Sequence, residues 1–173
     1  ASQTVEAFNL ARELGFDNIN TDLIAGLPTD TFESFRDTLF KVLEMNPESV
    51  TVHSLSMKRS SNLSTSGNLP ELEAGKTAGM MVDYALETLS ENNILPYYMY
   101  RQSKTVGNLE NVGYSKKGYE CLYNVFIMDE THTILSCGAS AVTKLREPFG
   151  NQIERIFNYK YPYEYISGFD KIT

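Results

Sequence analysis

Asn18-Ile19-Asn20-Thr21-Asp22-Leu23-Ile24-Ala25-Gly26-Leu27-Pro28 reads as an apolar strand with one carboxylate set inside it, followed by a Gly-Leu-Pro turn and a helix start. A charge within an apolar strand costs several kcal/mol, as an order of magnitude, unless something pairs with it. Asp22 therefore has a structural partner or awaits a ligand, and both readings stay open at this point.

Working outward, Val5, Phe8, Ala11 and Leu14 recur at helical spacing, with Thr4 as the expected N-cap and Gly15 placed to end the helix. The strand covers 18–25. Beyond it, Asp30 and Glu33 suggest a capping box ahead of the stripe Phe32, Phe35, Leu39, Val42 and Leu43. Asn46-Pro47 closes that helix, because proline disfavours helical geometry in the residue before it. Residues 49–57 form a second strand, and the Ser-, Asn- and Gly-rich 58–69 a loop. Residues 71–92 form a long helix with Ala78, Met81, Val82, Ala85 and Leu89 on one face, and 94–101 a third strand holding Tyr97, Tyr98 and Tyr100. This α-β alternation predicts parallel strands joined by right-handed crossovers.

After Arg101 the pattern changes. Residues 103–118 read as a glycine-containing loop. The runs 123–128 and 133–136 flank Asp129-Glu130-Thr131 as an antiparallel hairpin, and a strand at 152–159 precedes a short helix at 163–166. The expected organisation is an α/β part at 1–102 and an α+β extension at 103–173 that packs on it.

The 173 residues are 42% hydrophobic and 21% charged, as in a globular domain with a sizeable core. A net charge of −7, with Lys58-Arg59 and Lys116-Lys117 as the only dense basic clusters, argues against nucleic-acid or anionic-membrane partners. No apolar run spans a bilayer and no signal-peptide pattern opens the chain. Two cysteines without a framework fit a reducing cytoplasm, where Cys121 and Cys137 are expected as reduced, partly buried side chains. Because the chain starts Ala1-Ser2-Gln3 and becomes helical almost at once, it reads as a piece of a longer protein.

Three βα units fit either an open doubly wound sheet or part of a (β/α) barrel, and in both, ligands collect at the C-terminal strand ends. Asp22 and Ile24 on the first strand, Ser54 and Ser56 on the second, and Arg101 and Gln102 after the third converge there. No Gly-x-Gly-x-x-Gly or Walker lysine loop is present. His53 reads as a hydrogen-bonded core histidine, His132 as a solvent-exposed one, and the tyrosines as packing. No histidine–carboxylate metal spacing occurs.

Asn20 to Pro28, followed by Thr31, Phe32, Glu33, Ser34 and Asn46-Pro47, resembles the oxygen-independent coproporphyrinogen III oxidase family of radical S-adenosylmethionine (SAM) enzymes. Gly107-Asn108-Leu109-Glu110-Asn111-Val112-Gly113-Tyr114 and Glu120-Cys121-Leu122-Tyr123-Asn124 resemble its bacterial coproporphyrinogen dehydrogenase branch. Cys137-Gly138-Ala139-Ser140-Ala141 is similar to the family's glycine-small-serine-alanine turn. The resemblance implies the C-terminal part of a radical SAM partial (β/α) barrel of three βα units, followed by an α+β extension with an antiparallel hairpin. In the parent protein a [4Fe-4S] cluster would reduce SAM, and the resulting radical would start the oxidative decarboxylation of coproporphyrinogen III propionates to vinyl groups, in anaerobic haem biosynthesis. By matching motif, Asp22, Ile24, Ser56 and Val142 fall on SAM-contacting positions. Asn111 and Val112 fall where relatives carry an aromatic-glutamine pair near a second SAM, a departure that argues against a second SAM here. With Arg101 and Lys104, whose charges suit porphyrinogen carboxylates, they make up the candidate substrate side.

A SAM-type cluster needs three cysteines spaced C-x3-C-x2-C, so that one iron stays open, and this sequence has only Cys121 and Cys137. The resemblance therefore implies a chain without a metal site of its own, inactive alone, with no tightly bound cofactor and completed by a missing N-terminal half-barrel. A half-barrel exposes a strand edge, so self-association through the Asp22 strand or the next one is expected. Two other readings compete: a haem- or tetrapyrrole-binding chaperone, whose His-Asn-x-x-Tyr-Trp pattern is absent from this tryptophan-free sequence, and a stand-alone interaction domain.

Overall fold

The computed structural model describes residues 2–56, 71–100 and 105–171, so the expected 58–69 loop, Arg101 and Lys104 lie outside the described residues. The chain divides into two compact units, Ala1–Glu120 and Cys121–Thr173. The first contains α1 (Ser2–Glu13), β1 (Asn20–Ala25), α2 (Phe32–Met45), β2 (Ser49–Ser54), α3 (Glu71–Glu91), β3 (Leu95–Tyr100), a 3-10 turn (Val106–Asn108) and β4 (Asn111–Ser115). Thr4 lies inside α1 rather than capping it. The α2 cap is Thr31, one residue later than the Asp30/Glu33 spacing suggests. Ser34 N–H donates to Thr31 Oγ1 at 3.2 Å and Thr31 N–H to Ser34 Oγ at 2.9 Å. Asn46 ends the helix in the left-handed region.

The sheet order is β1-β2-β4-β3. β1 and β2 pair in parallel, with Asp22 opposite Thr51, but β3 does not join β2. β4 lies between them, antiparallel to both, so the segment expected as loop at 103–118 contains a strand and the sheet is mixed. The first compact unit runs on to Glu120 and includes β4, which is hydrogen-bonded into its sheet. The apolar signal of β4 is only Val112 and Tyr114, set among Asn, Gly and Ser. Strand formation there depends on partners from distant parts of the chain.

The alternation along the strands separates two faces. Leu23, Ala25, Val50, Val52 and Tyr114 are buried against Phe35, Leu39 and Val42 of α2 and Met81, Ala85 and Leu89 of α3. Each such side chain contributes about 1.5–3 kcal/mol by leaving water. On the other face, Asn20, Asp22 and Ile24 of β1 are exposed. The helices cover one face of the sheet and leave the other, the interior face of a (β/α) barrel, open.

The N-terminal strand ends are gathered by Glu48, which is 7% exposed. Arg12 Nη2 donates to its two carboxylate oxygens at 2.7 and 2.6 Å, Ile19 N–H to Oε2 at 3.0 Å, and Lys116 Nζ lies 3.7 Å away. One carboxylate thus ties α1, the start of β1, β2 and the end of β4. Burial pushes its pKa up, but the Ile19 N–H, Arg12 and Lys116 outweigh this and hold it below 4.5.

At the far edge, β3 shifts register between Pro96 and Tyr98, a bulge that turns the Tyr98 ring across Gly113. A Cβ on Gly113 would come within 1.8 Å of Tyr98 Cε1, so only glycine admits the ring.

The second unit contains α4 (Leu122–Asp129), β5 (Val142–Arg146), β6 (Ile153–Phe157) and α5 (Pro162–Ser167). The run expected as the first hairpin strand is helix α4, because a short apolar run such as Leu-Tyr-Asn-Val-Phe-Ile-Met-Asp suits either state. Glu130, in the left-handed region, ends α4, and its carboxylate accepts from Lys144 Nζ (3.1 Å) and Arg155 Nη2 (2.8 Å). The hairpin is β5–β6, with Val142 opposite Phe157. The 133–136 stretch contributes only the Ile134–Lys144 bridge. Among the described residues no helix is long and apolar enough to cross a membrane.

Glu48→Gln is expected to destabilise the protein by about 2 kcal/mol at pH 7, read as a lower denaturant midpoint at unchanged slope. Because the folded pKa is depressed, this stabilisation is present above 4.5 and is lost as pH falls through the folded value. The gap between variant and parent should close in acid; a gap independent of pH would mean that Glu48 acts by packing alone. Gly113→Ala should cost about 2 kcal/mol by forcing the Tyr98 ring away. Combined with Tyr98→Ala it should cost less than the two single changes added together.

Candidate functional site

On the open sheet face a chain of polar groups crosses four strands. The Tyr98 phenol lies beside Thr51, which acts to lower its pKa. Thr51 Oγ1 donates to Asn20 Oδ1 at 3.2 Å, and Asn20 Nδ2 donates to Asp22 Oδ1 at 2.7 Å. His53 Nε2 lies 3.6 Å from Asp22 Oδ2, an electrostatic contact longer than a direct hydrogen bond. His53 Nδ1 is 3.2 Å from the Tyr100 hydroxyl. Tyr100 stacks on Tyr98, 6.2 Å between centroids and 3° from parallel, closing the circuit.

The topology explains how residues so far apart in sequence meet. β3 lies two strands from β2, about 10 Å, a gap that a tyrosine spans only if nothing stands between. Gly113 on β4 leaves that path clear. Thr51, although it belongs to the open face, is only 5% exposed. Burial raises the pKa of Tyr98; the Thr51 hydrogen bond opposes this, and Tyr97, Tyr100 and the Asp22 charge add to it. Burial, then Asp22, also raises that of Tyr100. Both phenols therefore stay protonated around neutrality.

Asp22 is not the buried charge that its apolar neighbours suggest. Its side chain is 60% exposed, with one oxygen anchored by Asn20 and the other beside His53. Ile24, two residues on and on the same face, is 43% exposed. Ser56, beyond the end of β2, is half-buried in a bridge with Thr105. That rim is laced to the segment before β4: Val106 N–H donates to Leu55 O (2.8 Å) and Ser54 Oγ to Glu110 O (3.0 Å).

Asn111 is fully buried, its Oδ1 accepting from Ser54 N–H at 2.8 Å and its Nδ2 donating to Tyr100 O at 3.5 Å. Val112 packs against the helix-side core. Val142 lies in the second unit, half-buried on β5. That unit carries a cavity of about 490 Å3 lined by Leu135, Thr143, Leu145, Ile156, Phe157 and Lys171 among others, and none of the expected site residues lines it.

The sequence reading named neither Asn20 nor Thr51 as a site residue, and took His53 for a hydrogen-bonded core histidine and the tyrosines for packing; His53 is hydrogen-bonded, to Tyr100, but 30% exposed. The alternation of β1 carried one signal, since it puts Asn20, Asp22 and Ile24 on one face. Nothing local carried the contacts across β4. Cys121 and Cys137 are exposed free thiols rather than partly buried ones. Among the described residues no group of three His, Cys, Asp or Glu side chains is arranged to hold a metal ion, so these residues do not fit a cluster. What this face offers is a carboxylate able to accept from hydroxyls with an exposed aliphatic side chain beside it.

No protein-family model matches the chain. It is 38% identical over 171 residues, 99% of its length, to the oxygen-independent coproporphyrinogen-III oxidase-like protein HemZ of Bacillus subtilis. It is 27% identical over 97% of its length to the heme chaperone HemW of Haemophilus influenzae. The chain spans 34% of the first relative and 40% of the second. Its fold is that of coproporphyrinogen III oxidase from Escherichia coli, a radical SAM enzyme, with a TM-score of 0.61 at 19% identity over 96% of this chain and 37% of that one. The partial (β/α) barrel with its α+β extension is thus a radical SAM fold, and the chain is homologous over its whole length to part of the oxygen-independent coproporphyrinogen III oxidase family.

Proposed function

We propose that this chain forms one wall of a SAM pocket in a radical SAM oxidoreductase that oxidatively decarboxylates coproporphyrinogen III propionates. The observation carrying this reading is the placement of Asp22, midway along β1, and Ile24, near its C-terminal end, on the open sheet face, the side on which barrel enzymes bind ligands. Asp22 accepts hydrogen bonds from hydroxyl groups of the nucleoside and Ile24 packs against its apolar part. Ser56, bridged to Thr105 beyond the end of β2, is the proposed third group on this side. SAM, bound to a [4Fe-4S] cluster, would supply the hydrogen-abstracting radical. The thiolates for that cluster are not in this sequence and would come from the remainder of the barrel. The tetrapyrrole is the proposed partner on the substrate side.

In the full-length protein with its cluster reconstituted, CO2 should be released from coproporphyrinogen III only in the presence of SAM. Asp22→Asn should weaken SAM binding about tenfold, the worth of one hydrogen bond to a charged group. The likeness to a heme chaperone over 97% of the chain supports a second reading, haem carriage. Tight haem binding without CO2 release would decide for it.

β1 pairs only with β2 among the described residues, whereas β2 is flanked on both sides. The outer edge of β1 is therefore the proposed docking edge for the other barrel strands. The 173-residue chain alone should self-associate through it, seen as a concentration-dependent rise in sedimentation coefficient; a monomer at every concentration counts against this docking edge.

A further inference from the structure

We infer that the buried Thr51 hydroxyl is a positioning group for Asp22, acting through Asn20 and backed by Tyr98. The inference rests on the reading of Asp22 as a SAM ligand and extends it to side chains that do not touch the ligand.

An exposed aspartate rotates freely unless something holds it, and a carboxylate that must be frozen on binding loses affinity by that ordering. Here Oδ1 is held by Asn20 Nδ2 at 2.7 Å. The Asn20 amide is in turn oriented by Thr51 Oγ1 at 3.2 Å, because a threonine donor selects the carbonyl end of Asn20 and so turns its NH2 toward Asp22. Thr51 has a single proton, spent on Asn20, and the Tyr98 ring packs beside it. Tyr98 is fixed by its seat on Gly113 and its stacking on Tyr100. The chain thus runs from β3, over β4, through β2, to β1. Its effect is to leave Oδ2 facing outward beside His53, in one orientation, before any ligand arrives.

Thr51→Val is the decisive variant, since it is isosteric, removes the hydroxyl alone and lies at a 5% exposed position away from the ligand. In the cluster-loaded full-length protein, SAM affinity is measured by equilibrium dialysis with thermal stability followed in parallel. Thr51→Val should raise the SAM Kd about threefold, roughly half the logarithmic effect of a tenfold loss, while Thr51→Ser restores it. In an Asp22→Asn background Thr51→Val should add nothing, because the group it positions is gone. An unchanged Kd in Thr51→Val while Asp22→Asn weakens binding overturns the positioning role and leaves the Asp22 reading intact. A Thr51→Val effect of equal size in both backgrounds also overturns it, since the change is then structural. If Asp22→Asn itself leaves the Kd unchanged, the Asp22 reading fails and this inference with it.

Discussion

The first unit depends on a single carboxylate at the N-terminal ends of its strands. Glu48 collects Arg12 from α1, the Ile19 backbone N–H before β1 and Lys116 after β4. A charge this far from water is tolerated only because the cations and the amide compensate it together. Those ends meet at one point where β1, β2 and β4 lie side by side, in a register that puts Asp22 opposite Thr51, and Thr51 opposite Gly113. In barrel enzymes stability and chemistry are divided in this way between the two ends of the strands, and the proposed ligand face lies away from Glu48.

The second constraint is the admission of β4 between β2 and β3. A strand with ordinary side chains there would screen β3 from the open face of β2. Gly113 removes the screen, and the bulge at Tyr97 turns Tyr98 into the space. Two tyrosines from an edge strand can then reach Thr51 and His53 and join β1 in one polar circuit. The clearance at Gly113 thereby brings edge-strand tyrosines onto the face that carries Asp22, two strands from β4.

In the proposed function, this face serves the nucleoside and not the cluster. Asp22 offers an anchored acceptor with an open side, and Ile24 an apolar neighbour. The two cysteines of the sequence are exposed, in the second unit. Asn111 and Val112 are occupied structurally, the former joining the end of β2 to β3 and the latter filling the core. Their departure from the aromatic-glutamine pair of relatives thus coincides with a role in holding the sheet.

The sequence by itself determined the helices and strands of the first hundred residues, the core stripe of α2 and α3, and the family words around Asp22. These are written in local periodicity, which survives without tertiary context. It did not determine the place of β4, the helical state of residues 122–129, or the neighbours of Asp22. Val112 and Tyr114 form a strand only when β2 and β3 supply partners on both sides, and the 122–129 run suits helix and strand equally until its surroundings choose. Asp22 looked like a buried charge because Leu23, Ile24 and Ala25 surround it in sequence. The tertiary structure decided otherwise, because the helices cover only the face carrying Leu23 and Ala25, and the pleat turns Asp22 to the other.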